Sequence, residues 1–245
     1  MSIFTHPQNP VFVALDTNDM PAARFLAAGL LPFVGGIKLG LEFFNTFGPD
    51  GIRQIQQTEA PIFLDLKLHD IPNTVAAATK AVCYLAPKFL TVHTSGGVDM
   101  MRAAADAAAE VATKENLPRT QLLGVTALTS LTSQQCSAIY GKQPEDIVPA
   151  LAEMALEAGI DGLVCSAAEA PKLRELFGNN LTLVTPGIRP AGSPNADQNR
   201  VMTPTDALTA GADYLVIGRP ITEALNPIAA AKSIWQEIKK HPLSA

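Results

Sequence analysis

Cysteine is scarce in this sequence. The three that occur, Cys83, Cys136 and Cys165, are scattered and include no Cys-x-x-Cys pair. This argues against a disulfide framework or a thiolate zinc site, and for small buried apolar residues in a reducing compartment. Charge is thin as well: 17% of residues are charged and the net charge is −5. Such a chain has no general attraction for nucleic acid or anionic membrane, so an anionic ligand must be held by a local site. Long hydrophobic runs are missing too. The most apolar stretch, Phe25 to Ile37, is short and interrupted by Pro32 and Gly35-Gly36, so it is not a membrane span. Met1 to His6 show no basic region followed by an apolar run, and the cytoplasm is the expected location. A Gly-x-Gly-x-x-Gly turn after a strand, a Walker-type phosphate loop and a His-Glu-x-x-His pair are also lacking.

What is present is enough apolar material for a large core, 47% of 245 residues, arranged as short β-like runs alternating with helix-like runs. The expected strands are Val11 to Leu15, Gly36 to Leu39, the stretch that begins with Pro61-Ile62-Phe63-Leu64 and runs on toward Thr74, Phe89 to His93, Gln121 to Thr126, Asp161 to Cys165, Leu181 to Val184 and Asp213 to Ile217. Helical patterns follow each, among them the alanine-rich Met100 to Lys114 and a closing helix from Thr222 to about Lys239. After the seventh strand, Thr203 with Pro204 reads as the N-cap and first position of a short helix. Strands alternating with helices imply a parallel sheet, and eight such units fill the length of one (β/α)₈ TIM barrel, an α/β fold. No linker or shift of composition suggests a second domain, so residues 1–245 are expected to form a single catalytic barrel domain.

The third run breaks a rule. Its apolar start, Ile62-Phe63-Leu64, leads into Asp65, Lys67 and Asp70. Asp65 and Lys67 are two apart, so on an extended strand they point to the same side. Charges are seldom buried unless paired, so two acids flanking a lysine at the end of a core strand read as a built cluster. A structural ion pair is the plain alternative. Position decides between them, because barrel enzymes carry their sites at the C-terminal ends of the strands. Those ends here hold Asp16, Lys38, Asp65 with Lys67, Thr129, Arg189 and Gly218-Arg219, while His93 reads as a hydrogen-bonded packing residue. The loops after strands seven and eight of a barrel commonly take a phosphate. The seventh loop is long and rich in Gly, Pro, Ser and Asn, with Arg189 and Gln198 as polar handles. A lysine kept charged between carboxylates can stabilise a carbanion and then protonate it, but makes a poor Schiff-base nucleophile. These residues point to proton transfer or decarboxylation on a phosphorylated metabolite.

Val13-Ala14-Leu15-Asp16, Lys38, the run Asp65-Leu66-Lys67-Leu68-His69-Asp70-Ile71-Pro72-Asn73-Thr74, Leu128-Thr129-Ser130, Val184 to Arg189, Asp197-Gln198 and Ile217 to Pro220 stand in one order along the chain. Together they resemble the orotidine 5′-phosphate decarboxylase family in its bacterial form, over nearly the whole length. The resemblance implies decarboxylation of orotidine 5′-phosphate to uridine 5′-phosphate and carbon dioxide, in pyrimidine biosynthesis, with no cofactor and no metal. It implies that Lys67 protonates C6 of the ring, that Asp65 faces the departing carboxylate, and that Lys38 and Asp16 hold the ribose. It also implies that Asp70 and Thr74 reach the neighbouring site of a homodimer, that Thr129 and Ser130 lie near the pyrimidine, and that Arg189, Gln198, Gly218 and Arg219 grip the phosphate. The Asp-x-Lys-x-x-Asp core alone is shared with magnesium-dependent sister enzymes, a sugar-phosphate decarboxylase or a hexulose-phosphate synthase. A barrel that only binds a nucleotide, or an aldolase using Lys67 as a Schiff base, are the remaining alternatives.

Overall fold

In the computed structural model, residues 9–190 and 202–240 are described. Eight parallel strands close into a barrel in the order of the chain, the first pairing with the last. The first half runs β1 (Val11–Ala14), α1 (Met20–Leu30), β2 (Gly36–Gly40), α2 (Leu41–Gln56), β3 (Ile62–Leu68), α3 (Pro72–Cys83), β4 (Phe89–His93) and α4 (Val98–Glu115). The second half runs β5 (Gln121–Val125), α5 (Ser133–Tyr140), α6 (Pro144–Glu157), β6 (Gly162–Val164), α7 (Ala170–Phe177), β7 (Thr182–Thr185), α8 (Pro204–Thr209), β8 (Tyr214–Ile217), α9 (Arg219–Thr222) and α10 (Pro227–Lys239). The eight strands expected from the sequence are all found.

Local chemistry sets the helix ends. Asp19 accepts a hydrogen bond from Ala22 N at the start of α1, Thr132 and Gln135 form a reciprocal capping box on α5, and Thr203 caps α8 with Pro204 in its first turn, as the sequence suggested. The closing helix expected from Thr222 to Lys239 instead starts at Pro227, after a separate short helix that ends at Thr222. Pro227 has no N–H to give a helix interior, and Asn226 before it caps a fresh start by accepting from Ala229 N. Helix α2 is kinked for a similar reason: Gly48 takes φ 58° ahead of Pro49.

Alternate residues of each strand face either the helices or the barrel axis. The outward set, including Val13, Leu39, Leu64, Leu90, Leu122, Leu163, Leu183 and Leu215, packs with the helices in the main core. The inward set forms a second cluster of Phe12, Ala14, Phe63, Phe89, Leu123, Val184 and Val216, with Tyr214 packed on it. Its lower part is aromatic: Phe12, Phe63, Phe89 and Tyr214 meet edge to face at centroid separations of 5.1–6.0 Å. Lys88 covers this floor, its Nζ 4.7 Å from the Tyr214 ring centre and 3.1 Å from the Tyr214 hydroxyl. Gly36 lies beside Phe12 in the β1–β2 ladder, and a Cβ there would fall 2.4 Å from the Phe12 ring, so the glycine makes room for the aromatic floor.

Candidate active site

Moving up the barrel by two residues at a time replaces the aromatic floor with charge. Phe12 and Ala14 lead to Asp16, Gly36 leads to Lys38, and Phe63 leads to Asp65. These side chains line a cavity of about 710 Å³ at the C-terminal mouth, together with Lys67, Thr129, Arg189, Gly218 and Arg219. The ends of strands 1, 2, 3, 5, 7 and 8 therefore deliver predicted residues to one space.

The charges alternate in a row. Lys38 Nζ is 3.4 Å from Asp16 Oδ1 and 3.4 Å from Asp65 Oδ2, while Lys67 Nζ is 2.8 Å from Asp65 Oδ1. Lys38 is buried, at 8% exposure, whereas Asp16 stands at the solvent end of the row. Burial is the largest single influence on Asp65 and would push its carboxyl up. The charges of Lys38 and Lys67, with hydrogen bonds from Lys67 and Thr91, together outweigh it and hold the carboxyl below its ordinary 3.8. Asp65 is thus a carboxylate whenever the protein is near neutral pH.

Asp65 and Lys67 share the cavity side, as their spacing predicts, but the strand that carries them is not regular. Lys67 has φ 51°, in the left-handed region that a non-glycine residue seldom occupies. In the ladder with β4, Leu64 pairs with Leu90 and Leu68 with Val92, so four steps along β3 match only two along β4. The surplus residues form a bulge, a device that re-aims side chains beside sites. Thr91, which the sequence reading passed over, sits opposite it. Its only signal was a hydroxyl inside the otherwise apolar Phe89-Leu90-Thr91-Val92. Fully buried, its Oγ1 accepts from Lys67 N at 2.9 Å and donates to Asp65 Oδ1 at 3.0 Å.

His93, at the end of β4, packs its ring 5.3 Å from that of His69. Burial, then His69 and Lys67, push the His93 imidazole below its ordinary 6.5, with Asp65 opposing, so it is neutral at pH 7.

At the other side of the cavity Arg189 is buried at 8% exposure, and its Nε has no hydrogen-bond partner among the described residues. A buried guanidinium nitrogen left in this state fits a position that an anionic ligand group completes. Arg189 N donates to Met202 O at 3.0 Å, and Ile188 bridges Met202, so the two ends of the seventh loop are tied together. Gln198 lies outside the described residues. Gly218 turns the chain from β8 into α9 with φ −107° and ψ −108°, and delivers Arg219 to the cavity.

Three predicted residues are not part of this lining. Asp70 and Thr74 are exposed beyond the end of β3, where Asp70 accepts from Ile71 N at 2.6 Å, and Ser130 is exposed beside Thr129.

The family model described as Orotidine 5′-phosphate decarboxylase / HUMPS family matches residues 9–234. Among curated relatives, the orotidine 5′-phosphate decarboxylase of Moorella thermoacetica is 46% identical over 96% of this chain and 94% of its own length. That of Rhodospirillum rubrum is 49% identical over 94% of each chain. Among solved structures, orotidine 5′-phosphate decarboxylase from Lactobacillus acidophilus superposes with a TM-score of 0.81 at 37% identity, covering 94% of this chain and 99% of the other.

Proposed function

Because the chain belongs to the Orotidine 5′-phosphate decarboxylase / HUMPS family, we propose that it converts orotidine 5′-phosphate to uridine 5′-phosphate and carbon dioxide. The observation that carries this reading is the row Asp16–Lys38–Asp65–Lys67, in which carboxylate and ammonium groups alternate. In that row Lys38 supplies positive charge between the two acids, which supports a reaction that needs no divalent cation there and favours this branch over the magnesium-dependent sisters.

The bond from C6 of the pyrimidine to its carboxylate breaks, carbon dioxide leaves, and the electron pair stays on C6. Lys67 meets that developing charge with its ammonium and then transfers a proton to C6, regaining one from water. Asp65 holds the Lys67 ammonium at 2.8 Å beforehand and faces the carboxylate that departs. Lys38 and Asp16 hold the ribose hydroxyls, and Thr129, with Ser130 next to it, contacts the base. Arg189, Gln198, Gly218 and Arg219 take the phosphate, whose binding energy helps organise the charged end. Asp70 and Thr74, exposed and off this chain's own cavity, complete the site of a second copy in a homodimer. The working location is the cytoplasm, and among the described residues no helix is long and apolar enough to cross a membrane.

The decisive test follows the loss of orotidine 5′-phosphate absorbance in EDTA for wild type and Lys67→Ala. Rapid loss that the substitution reduces by at least about 10³-fold supports the reading. Inactivity in EDTA, with magnesium restoring activity on a sugar phosphate, moves the protein to the sister branch.

A further inference from the structure

We propose that Thr91 is a positioning residue, whose buried hydroxyl holds the left-handed turn at Lys67 and aims Asp65 at the same time. The inference rests on the reading of Lys67 as proton donor.

A backbone N–H in a parallel sheet normally donates to a carbonyl of the adjacent strand. At the bulge between Leu64 and Leu68 the β3–β4 ladder is interrupted, and Lys67 N donates to the Thr91 hydroxyl instead, at 2.9 Å. A single hydroxyl has one proton and two lone pairs. Here one lone pair serves the Lys67 amide and the proton goes to Asp65 Oδ1, 3.0 Å away. The same carboxylate oxygen receives Lys67 Nζ at 2.8 Å. The three bonds close a ring running from Lys67 N through Thr91 Oγ1 and Asp65 Oδ1 to Lys67 Nζ.

That ring explains why an unfavourable backbone persists. Left-handed geometry at a non-glycine residue is strained and survives only where the surroundings over-determine it. Thr91 lies in the centre of β4, fully buried, with its backbone fixed in the ladder to β5 opposite Leu123. It is a rigid post. Without its hydroxyl the Lys67 amide is left unsatisfied in a partly buried position, and the turn is free to relax toward the extended form. Relaxation swings the ammonium away from the reacting carbon.

Two substitutions separate this role from simple packing. Thr91→Val keeps the shape and loses the hydroxyl, whereas Thr91→Ser keeps the hydroxyl and loses a methyl group. Turnover of orotidine 5′-phosphate is measured alongside calorimetric binding of uridine 5′-phosphate. The expected result for Thr91→Val is a kcat reduced on the order of 10²-fold, because small misplacements of a catalytic group have effects of that size. Its affinity for uridine 5′-phosphate, held by phosphate and ribose, should stay within about threefold of wild type. Thr91→Ser should recover kcat to within about threefold, since the donor and acceptor are both restored.

The reverse order, with valine active and serine impaired, makes Thr91 a packing residue and overturns the proposal. So does equal activity of Thr91→Val and wild type. Loss of nucleotide binding together with turnover in Thr91→Val makes the hydroxyl a requirement of the fold and also overturns it. A wild type inactive on orotidine 5′-phosphate overturns the functional reading, and the inference with it.

Discussion

Lys38 and Asp65 meet at 3.4 Å at a depth where the lysine is only 8% exposed. Neither charge is tolerable there alone. Lys38 has its second carboxylate, Asp16, near the solvent, so Asp65 is the buried counter-charge for it and for Lys67 together.

Asp65→Asn therefore leaves two ammonium groups around a neutral amide. Removing one member of a buried ion pair destabilises a protein by roughly 3–5 kcal/mol, and a loss of about 3 kcal/mol is expected here by denaturant unfolding near neutral pH. The pH dependence has a definite sign. The folded pKa of Asp65 lies below 3.8, so its stabilisation is complete above that value and is lost as pH falls through the folded pKa. The stability gap between wild type and Asp65→Asn should stay constant from about pH 6 to about pH 5 and narrow below about pH 4. A gap that widens on acidification would show the carboxyl to be raised, not depressed.

Lys38→Ala acts on the same carboxylate through its pKa. After burial, which raises it, the Lys38 charge is the foremost influence and lowers it. Without that charge the acid limb of kcat/KM should move to higher pH, with a fall in its plateau on the order of 10²-fold. An unmoved acid limb would remove Asp65 as the group responsible for it.

Arg219→Ala tests whether the phosphate end is coupled to the chemistry. Lost contacts to a non-reacting group should lower kcat as well as raise KM, with kcat/KM reduced by at least about 10²-fold. An unchanged kcat would mean that the phosphate contributes only uniform binding.

Mixing two inactive variants tests the second copy. In a two-fold dimer, Lys67→Ala and Asp70→Ala subunits combine so that a mixed pair carries one site with both defects and one intact site. Re-equilibrated equimolar mixtures should recover about a quarter of wild-type activity, because about half the dimers are mixed and each has one working site. No recovery, with subunit exchange verified, places Asp70 in its own chain's site.

The barrel was legible in the sequence because its strands are short apolar runs with polar residues where they stop. Asp16, Lys38, Asp65, Lys67, Arg189 and Arg219 could be read from those endings alone, and the cavity gathers all six. Less visible was anything that depends on pairing between strands. The bulge at Lys67 is a mismatch in count between β3 and β4, and neither strand carries a glycine to announce it. Thr91 looked like one more β-branched residue in a strand. The break before α10 was marked by Asn226-Pro227, yet apolar periodicity on both sides concealed it. Asp70 and Thr74 belong to the motif in sequence but are exposed and do not line this chain's cavity, and only the family resemblance suggested a place for them in a neighbouring site.

The surplus in β3 is even. Leu64, Leu66 and Leu68 all pack outward with the helices, as Leu90 and Val92 do on β4. An odd surplus would have inverted the remainder of the strand and turned Leu68 toward the charged mouth. Deleting one residue between Leu64 and Leu68 should therefore scramble the barrel wall. Deleting two would leave the wall in phase and cancel only the detour that presents Lys67. Architecture and chemistry are thus written into the same five residues as two separable quantities: a parity that the barrel counts, and a length that only the reaction needs.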